Sequence, residues 1–183
     1  QEKPQIAPAE PQPETVQEAA EIPEATEKDI DLRSSQASND IKKHVIIAMG
    51  VSLVPIPLFD LAALSSVQIK MLHGLSKLYD VPFSKNLGKS LIASLVGGVM
   101  PSSAAMTLAS FAKAVPGLGT ATGMVSVSLL GGATTYAIGG VFMQHFESGG
   151  TLLDFEPKKM REYFSSKLEE GKEVVASVRT SKA

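Results

Sequence analysis

Residues 120–144, TATGMVSVSLLGGATTYAIGGVFMQ, contain no Asp, Glu, Lys or Arg, and the reading of this stretch decides the fold. Small residues recur in it every four positions, as Ser128 and Gly132 and again as Gly131, Thr135 and Gly139. In a helix such positions share one face and let a second backbone approach closely. Each interior Gly costs a helix about 1 kcal/mol relative to Ala, so this many glycines need a packing reason. Upstream, residues 90–112 are also uncharged and contain Ser94 and Gly98 at the same spacing; Gly119 and Gly123 repeat it once more. A membrane span needs about 20 apolar residues, and both stretches are long enough. Pro101 would kink the first, and Val115-Pro116-Gly117-Leu118-Gly119 is a turn signal between the two. The expectation is a Gly-rich helical hairpin, residues 87–143, inserted in a membrane. The competing reading is a soluble all-α bundle in which helices rich in small residues are buried by protein.

On the N-terminal side, Ile41 to Val54 form an apolar run behind the capping residues Ser38, Asn39 and Asp40, which predicts a helix. Pro55 and Pro57 break it, because proline lacks an amide hydrogen and pushes its predecessor towards extended geometry. Leu58 to Tyr79 resumes as an amphipathic helix, with Leu61, Leu64, Ile69, Leu72, Leu75 and Leu78 apolar, and Pro82 follows it. Residues 39–80 therefore read as a Pro-broken helical hairpin. Asp60 in its middle, and the lysines on both flanks, point to a re-entrant or surface-lying hairpin rather than a third span. On the C-terminal side, residues 157–179 alternate apolar and charged positions at helical spacing and predict an amphipathic helix. The fold class expected is all-α, with residues 39–179 as one membrane-associated domain.

The first 38 residues carry nine acidic and three basic side chains, five of the eleven prolines and no aromatic residue. They bury too little apolar area to offset chain entropy and read as a disordered acidic tail. The chain's net charge of −2 then leaves the rest of the sequence at +4. Those bases flank apolar segments, which suits anionic lipid headgroups better than a nucleic-acid groove. Lys70, Lys77, Lys85 and Lys89 precede the Gly-rich hairpin, Lys158, Lys159 and Arg161 follow it, and Lys113 alone lies in its connection. By the positive-inside rule both ends are cytoplasmic, in a bacterial inner membrane.

Candidate chemistry is sparse. With no cysteine in the chain, disulfides, Cys-ligated zinc and thiol nucleophiles are excluded. His44, His73 and His145 lack ligand spacing, so no metal site is expected. Gly88-Lys89-Ser90 resembles the end of a phosphate-binding loop, but Phe83 stands where its first glycine is required. Gly117-Leu118-Gly119 with Gly123 is one residue too long for a dinucleotide pattern. No cofactor and no catalytic residue is expected. The residues left as candidates for function are Asp60, Pro55, Pro57 and Lys113. For Asp60, a proton or ion path competes with a simple N-cap role.

Two stretches carry a resemblance: Ser52 to Leu61 (SLVPIPLFDL) continuing through Gln68-Ile69-Lys70-Met71, and His145 to Phe155 (HFESGGTLLDF). With Tyr79-Asp80-Val81 and Pro116-Gly117-Leu118-Gly119, they resemble the YcjF-type family of uncharacterised bacterial proteins, from about Asn39 to Val175. The resemblance implies a membrane module that works with a GTPase, here without a GTPase domain in the same chain. The functional expectation is a non-enzymatic membrane anchor or scaffold that contacts lipid, recruits a cytoplasmic partner such as a GTPase, and is able to self-associate. The rivals are a small oligomeric channel and a soluble helical lipid- or partner-binding domain.

Overall fold

Ala37, Ile41, Val45 and Ala48 follow one another at helical spacing and form the buried face of α1, Glu27–Val51. Glu27 and Asp29 in its first turn oppose the positive end of the helix dipole. The computed structural model describes residues 27–51, 59–99 and 120–180, and among these every regular element is a helix. After α1 come α2 (Phe59–Leu78), α3 (Lys85–Val99), α4 (Thr120–Glu147) and α5 (Arg161–Thr180).

Two helices end in the same way. At the end of α2, the Val81 amide donates to the Ser76 carbonyl (2.8 Å) and Asp80 takes φ of 56°. At the end of α4, Gly150 donates to His145 (2.9 Å), Gly149 to Phe146 (2.9 Å), and Gly149 has φ of 80°. Both are Schellman caps, which satisfy terminal carbonyls through one left-handed residue. Glycine fills that position freely, whereas Asp80 does so at a steric cost.

Side-chain contacts fix the helix directions. Arg33 lies over the Tyr79 ring (6.0 Å), and Asp40 lies against Gly74, so α1 and α2 are antiparallel. Gln68 reaches Thr135 and Tyr79 reaches Glu147, so α2 and α4 are parallel. Gly132 meets Val175, and Gly140 meets Lys167, so α4 and α5 are antiparallel. Helix α4 is central, packed by α1, α2 and α5, while α3 touches α2 and α5. Met71, Leu72, Leu75, Leu95, Phe142 and Phe164 are among its fully buried core side chains.

Three expectations are corrected. Residues 27–38, read as the end of a disordered tail, are the first turns of α1; Ala37 is fully buried and Arg33 covers Tyr79, so tertiary packing compensates for poor local propensity. The last helix starts at Arg161, since residues 157–160 form a turn in which Lys159 donates to the Glu156 carbonyl (3.1 Å). Finally, among the described residues no helix is long and apolar enough to cross a membrane. α3 has 15 residues. The Gly-Ser-Thr face of α4 is covered by α1 and α5, so protein rather than lipid receives it. Residues 100–119, which hold the second half of the first expected span and the turn after it, lie outside the described residues.

Candidate functional site

Several polar atoms of the interior lie along a seam between α4 and its neighbours. Ser128, buried on α4, donates to the Met49 carbonyl of α1 (2.7 Å). Thr135, fully buried, donates to Gly131 one turn back (2.8 Å) and accepts from Gln68 Nε2 of α2 (3.4 Å). These hydroxyls are engaged with backbone, as buried Ser and Thr in helices usually are. They link helices and leave no free nucleophile beside a base.

Gly132 and Gly139 stand where side chains of α1 press closest. A Cβ at Gly139 would lie 2.7 Å from Ile41, and one at Gly132 would lie 2.7 Å from Met49 and 3.0 Å from Val175. At Gly98 the Arg161 guanidinium occupies the space a side chain would take. Ser94 is exposed on α3. Gly123 lies within α4 and Asp60 within α2, but their side-chain surroundings, like Pro55, Pro57, Lys113 and Gly119 altogether, lie outside the described residues. The structure thus brings Ser128, Gly132 and Gly139 to one seam and places Ser94 and Gly98 elsewhere.

Beside the seam, Gln36, Asn39, Asp40 and Lys43 of α1 and Gly74 and Leu78 of α2 line an open groove of about 360 Å³. Asp40 turns one carboxylate oxygen inward, 2.8 Å from where a Gly74 Cβ would be, and that oxygen has no hydrogen-bond partner. His44 Nδ1 donates to the Asp40 carbonyl (2.9 Å) and lies 3.5 Å from its carboxylate, which fixes the proton on Nδ1. Sequence reading passed over Asp40 as a helix cap. The signal that could have found it is Gly74, the one residue type that makes room for a carboxylate on the facing helix.

The sequence reading also missed a knot at the end of α4. Phe142 stacks on Phe155 (4.4 Å), and His145 meets Phe155 edge-on (5.0 Å). His145 Nε2 donates to the Thr151 carbonyl (2.8 Å), and its ring fills the space beside Gly150. Thr151 donates to Asp154 through its hydroxyl and its amide, which holds the Asp154 carboxyl below its usual range.

Charge on the surface is uneven. On α5, Lys167 pairs with Glu170 and Lys172 with Glu169, each at 2.7 Å. Burial first, then the hydrogen bond to Glu170, pushes Tyr136 up to about 12. Burial and the hydrogen bond to Glu147 raise Tyr79 in the same way. Lys42 and Lys43 of α1 and Lys70 of α2 are exposed and have no ion-pair partner among the described residues. Among the described residues no group of three or more His, Cys, Asp or Glu is placed to hold a metal ion. What this surface offers is charge and apolar area.

Three comparisons with known proteins bear on these features. A family model described as "Domain of unknown function (DUF697)" matches residues 17–173. Magnetosome membrane protein 22 of Magnetospirillum gryphiswaldense is 46% identical over 151 residues, covering 82% of this chain and 77% of that protein. No solved structure matches.

Proposed function

The chain belongs to the DUF697 family, and from that premise we propose that it is a membrane-associated, non-enzymatic helical scaffold of a bacterial cell. The observation that carries the proposal is the extent of the likeness. A protein named for a membrane is 46% identical across 82% of this chain, a share too large to be confined to one helix or to the acidic N-terminal region. The structure adds support of a physical kind. Exposed Ile46 and Ile47 lead directly into the uncharged sequence 52–59, SLVPIPLF, and residues 90–112 are uncharged as well.

The finer parts of the proposal are an inner-membrane location with both ends cytoplasmic, and recruitment of a cytoplasmic partner, for which the sequence resemblance names a GTPase. The lysines on either side of residues 90–144 support contact with the anionic headgroups of the cytoplasmic leaflet. Cell fractionation tests the central claim: the native protein is expected in the membrane pellet, and recovery wholly in the soluble fraction overturns it. Crosslinking in native membranes followed by pull-down tests recruitment, which fails if the chain is recovered only with itself.

A further inference from the structure

Helices α1 and α2 are antiparallel, and their two cross-contacts set which turns lie side by side. Arg33 meets Tyr79 and Asp40 meets Gly74, so continuing along both helices places Lys43 of α1 beside the turn that carries Lys70 of α2. Lys42, Lys43 and Lys70 are all exposed and form a basic band across the outer face of the pair. Beyond the band, towards Val51 and Phe59, the exposed positions are Ile46, Ile47 and Gly50 on α1 and Ala62 and Ser66 on α2. No Asp, Glu, Lys or Arg occurs from residue 44 to 51 or from 61 to 69; Asp60, at the start of α2, has its side chain outside the described residues. The outer face therefore passes from cationic to uncharged within about one helical turn.

We propose that this face docks on an anionic lipid bilayer, with Ile46 and Ile47 on the acyl side and Lys42, Lys43 and Lys70 at the phosphates. The proposal rests on the membrane reading above and adds the face, the depth and the lipid class. Ile47 stands one turn, about 6 Å along the helix axis at about 1.5 Å per residue, from Lys43, so with this end of α1 tilted into the interface the isoleucines reach below the headgroups that the lysines contact. Ile46 and Ile47 are each 49% exposed, an arrangement that water penalises and a bilayer rewards. The remaining large apolar side chains exposed among the described residues have the wrong electrostatic setting. Ile30 and Leu32 lie among Glu27, Asp29 and Asp31, and Leu153 lies beside Asp154, all of which anionic headgroups would repel. The lysines of α5 are neutralised by their glutamates, whereas those of the α1–α2 band have no such partner among the described residues.

The full-length protein is to be floated with vesicles of phosphatidylcholine alone and of phosphatidylcholine mixed with phosphatidylglycerol, at low salt. Each lysine near an anionic surface contributes about 1 kcal/mol, close to fivefold in binding, so Lys42→Gln, Lys43→Gln and Lys70→Gln together are expected to remove up to about a hundredfold of the preference for phosphatidylglycerol. Ile46→Ser with Ile47→Ser is expected to weaken binding to both vesicles by about tenfold. The chain has no cysteine, so a single Cys at Ile47 or at Ile30 can carry an environment-sensitive fluorophore; the Ile47 site is expected to shift to the blue on binding and the Ile30 site to stay unchanged. All variants lie on the surface, and far-ultraviolet circular dichroism checks their helix content. An unchanged lipid preference in the lysine variant, or a blue shift at Ile30 instead of Ile47, overturns the proposed face while leaving membrane association standing. Failure of the wild-type protein to float with either vesicle overturns the membrane reading itself.

Discussion

The two halves of α4 hold their neighbours by opposite means. From Ser128 to Gly140 the helix is made largely of small residues, and α1 and α5 come close: Ile41 and Met49 press onto Gly139 and Gly132, and Gly171 of α5 lies against the Ala133 backbone. From Val141 onward the same helix presents bulk, with Phe142 and Phe146 buried and Phe155 stacked on Phe142. The first half gains stability from proximity, through dispersion between backbones and short polar links. The second gains it from apolar area and a sealed cap. The lesson is that these regions should fail under opposite substitutions, truncation in one and enlargement in the other.

The largest effect is expected from truncation in the bulky half. Phe142→Ala removes a fully buried ring stacked at 4.4 Å on Phe155 and should destabilise by about 3–5 kcal/mol. Thermal unfolding followed by circular dichroism checks it. A loss below about 1 kcal/mol would mean that the knot around Phe155 does not depend on its central ring, and the contrast between the halves would collapse.

Enlargement in the close-packed half comes next. A Cβ at Gly171 would stand 2.8 Å from the Ala133 carbonyl oxygen and 3.1 Å from its Cα, both backbone atoms of α4. Backbone cannot rotate aside as a side chain does, so Gly171→Ala should cost about 1–3 kcal/mol, even though Ala is by itself the better helix former. A rise in melting temperature instead would show that α4 and α5 have room to separate. Gly139 offers a milder version, because Ile41 is a side chain able to shift.

How much of this was legible beforehand follows from the same physics. That the chain is helical, and that its small residues fall on one face at four-residue spacing, could be read directly from residues such as Ser128, Gly132 and Gly139. What covers that face could not. A face built for close approach looks alike in sequence whether lipid surrounds the helix or α1 and α5 do, and only the folded chain places Ile41 and Met49 there. The start of α1 was hidden because residues 27–38 have weak helix propensity and are held by contacts distant in sequence, as between Arg33 and Tyr79. The aromatic knot was recognisable as a motif but not as a mechanism, since the roles of Gly149 and Gly150 depend on a positive φ and on the His145 ring. The basic band was half legible: the lysines could be counted, but Lys70 joins Lys42 and Lys43 only when the helices fold against each other.

Tyrosine titration probes both halves at once. Tyr136 lies in the close-packed half and is pushed up to about 12 by burial and by Glu170; Tyr79 packs against Phe146 at the knot and is raised by burial and by Glu147. In the unfolded chain both would ionise near the ordinary value of 10.0. The folded state keeps its protons above that pH while the unfolded state loses them, so stability falls as pH rises from about 10 towards 12. Tyrosinate absorbance should show at least two of the three tyrosines ionising only above that ordinary value, and Glu170→Gln should bring one of them down without moving the other. A shift of both together would mean that the halves are coupled. At the acid end the sign reverses for Asp154. Its lowered carboxyl contributes stability above the unfolded value, and that contribution is lost as pH falls through the folded one.

The smallest effect lies where neither means of packing operates. Gly50, one turn beyond Ile46 and Ile47 on the outer face of α1, has nothing within 4 Å of the position its Cβ would take. Alanine there meets no neighbour and restricts the unfolded chain, so Gly50→Ala should stabilise by up to about 1 kcal/mol. For a domain of this size that corresponds to a rise of about 2–4 °C in melting temperature. The same substitution type therefore has opposite signs at Gly171 and Gly50, and the sign depends only on whether another helix occupies the space. If Gly50→Ala lowers the melting temperature in detergent-free buffer, some partner already covers this face, and self-association measured by sedimentation would identify it as a second copy of the chain. If the melting temperature rises as expected, the face is open in solution and free to meet a bilayer.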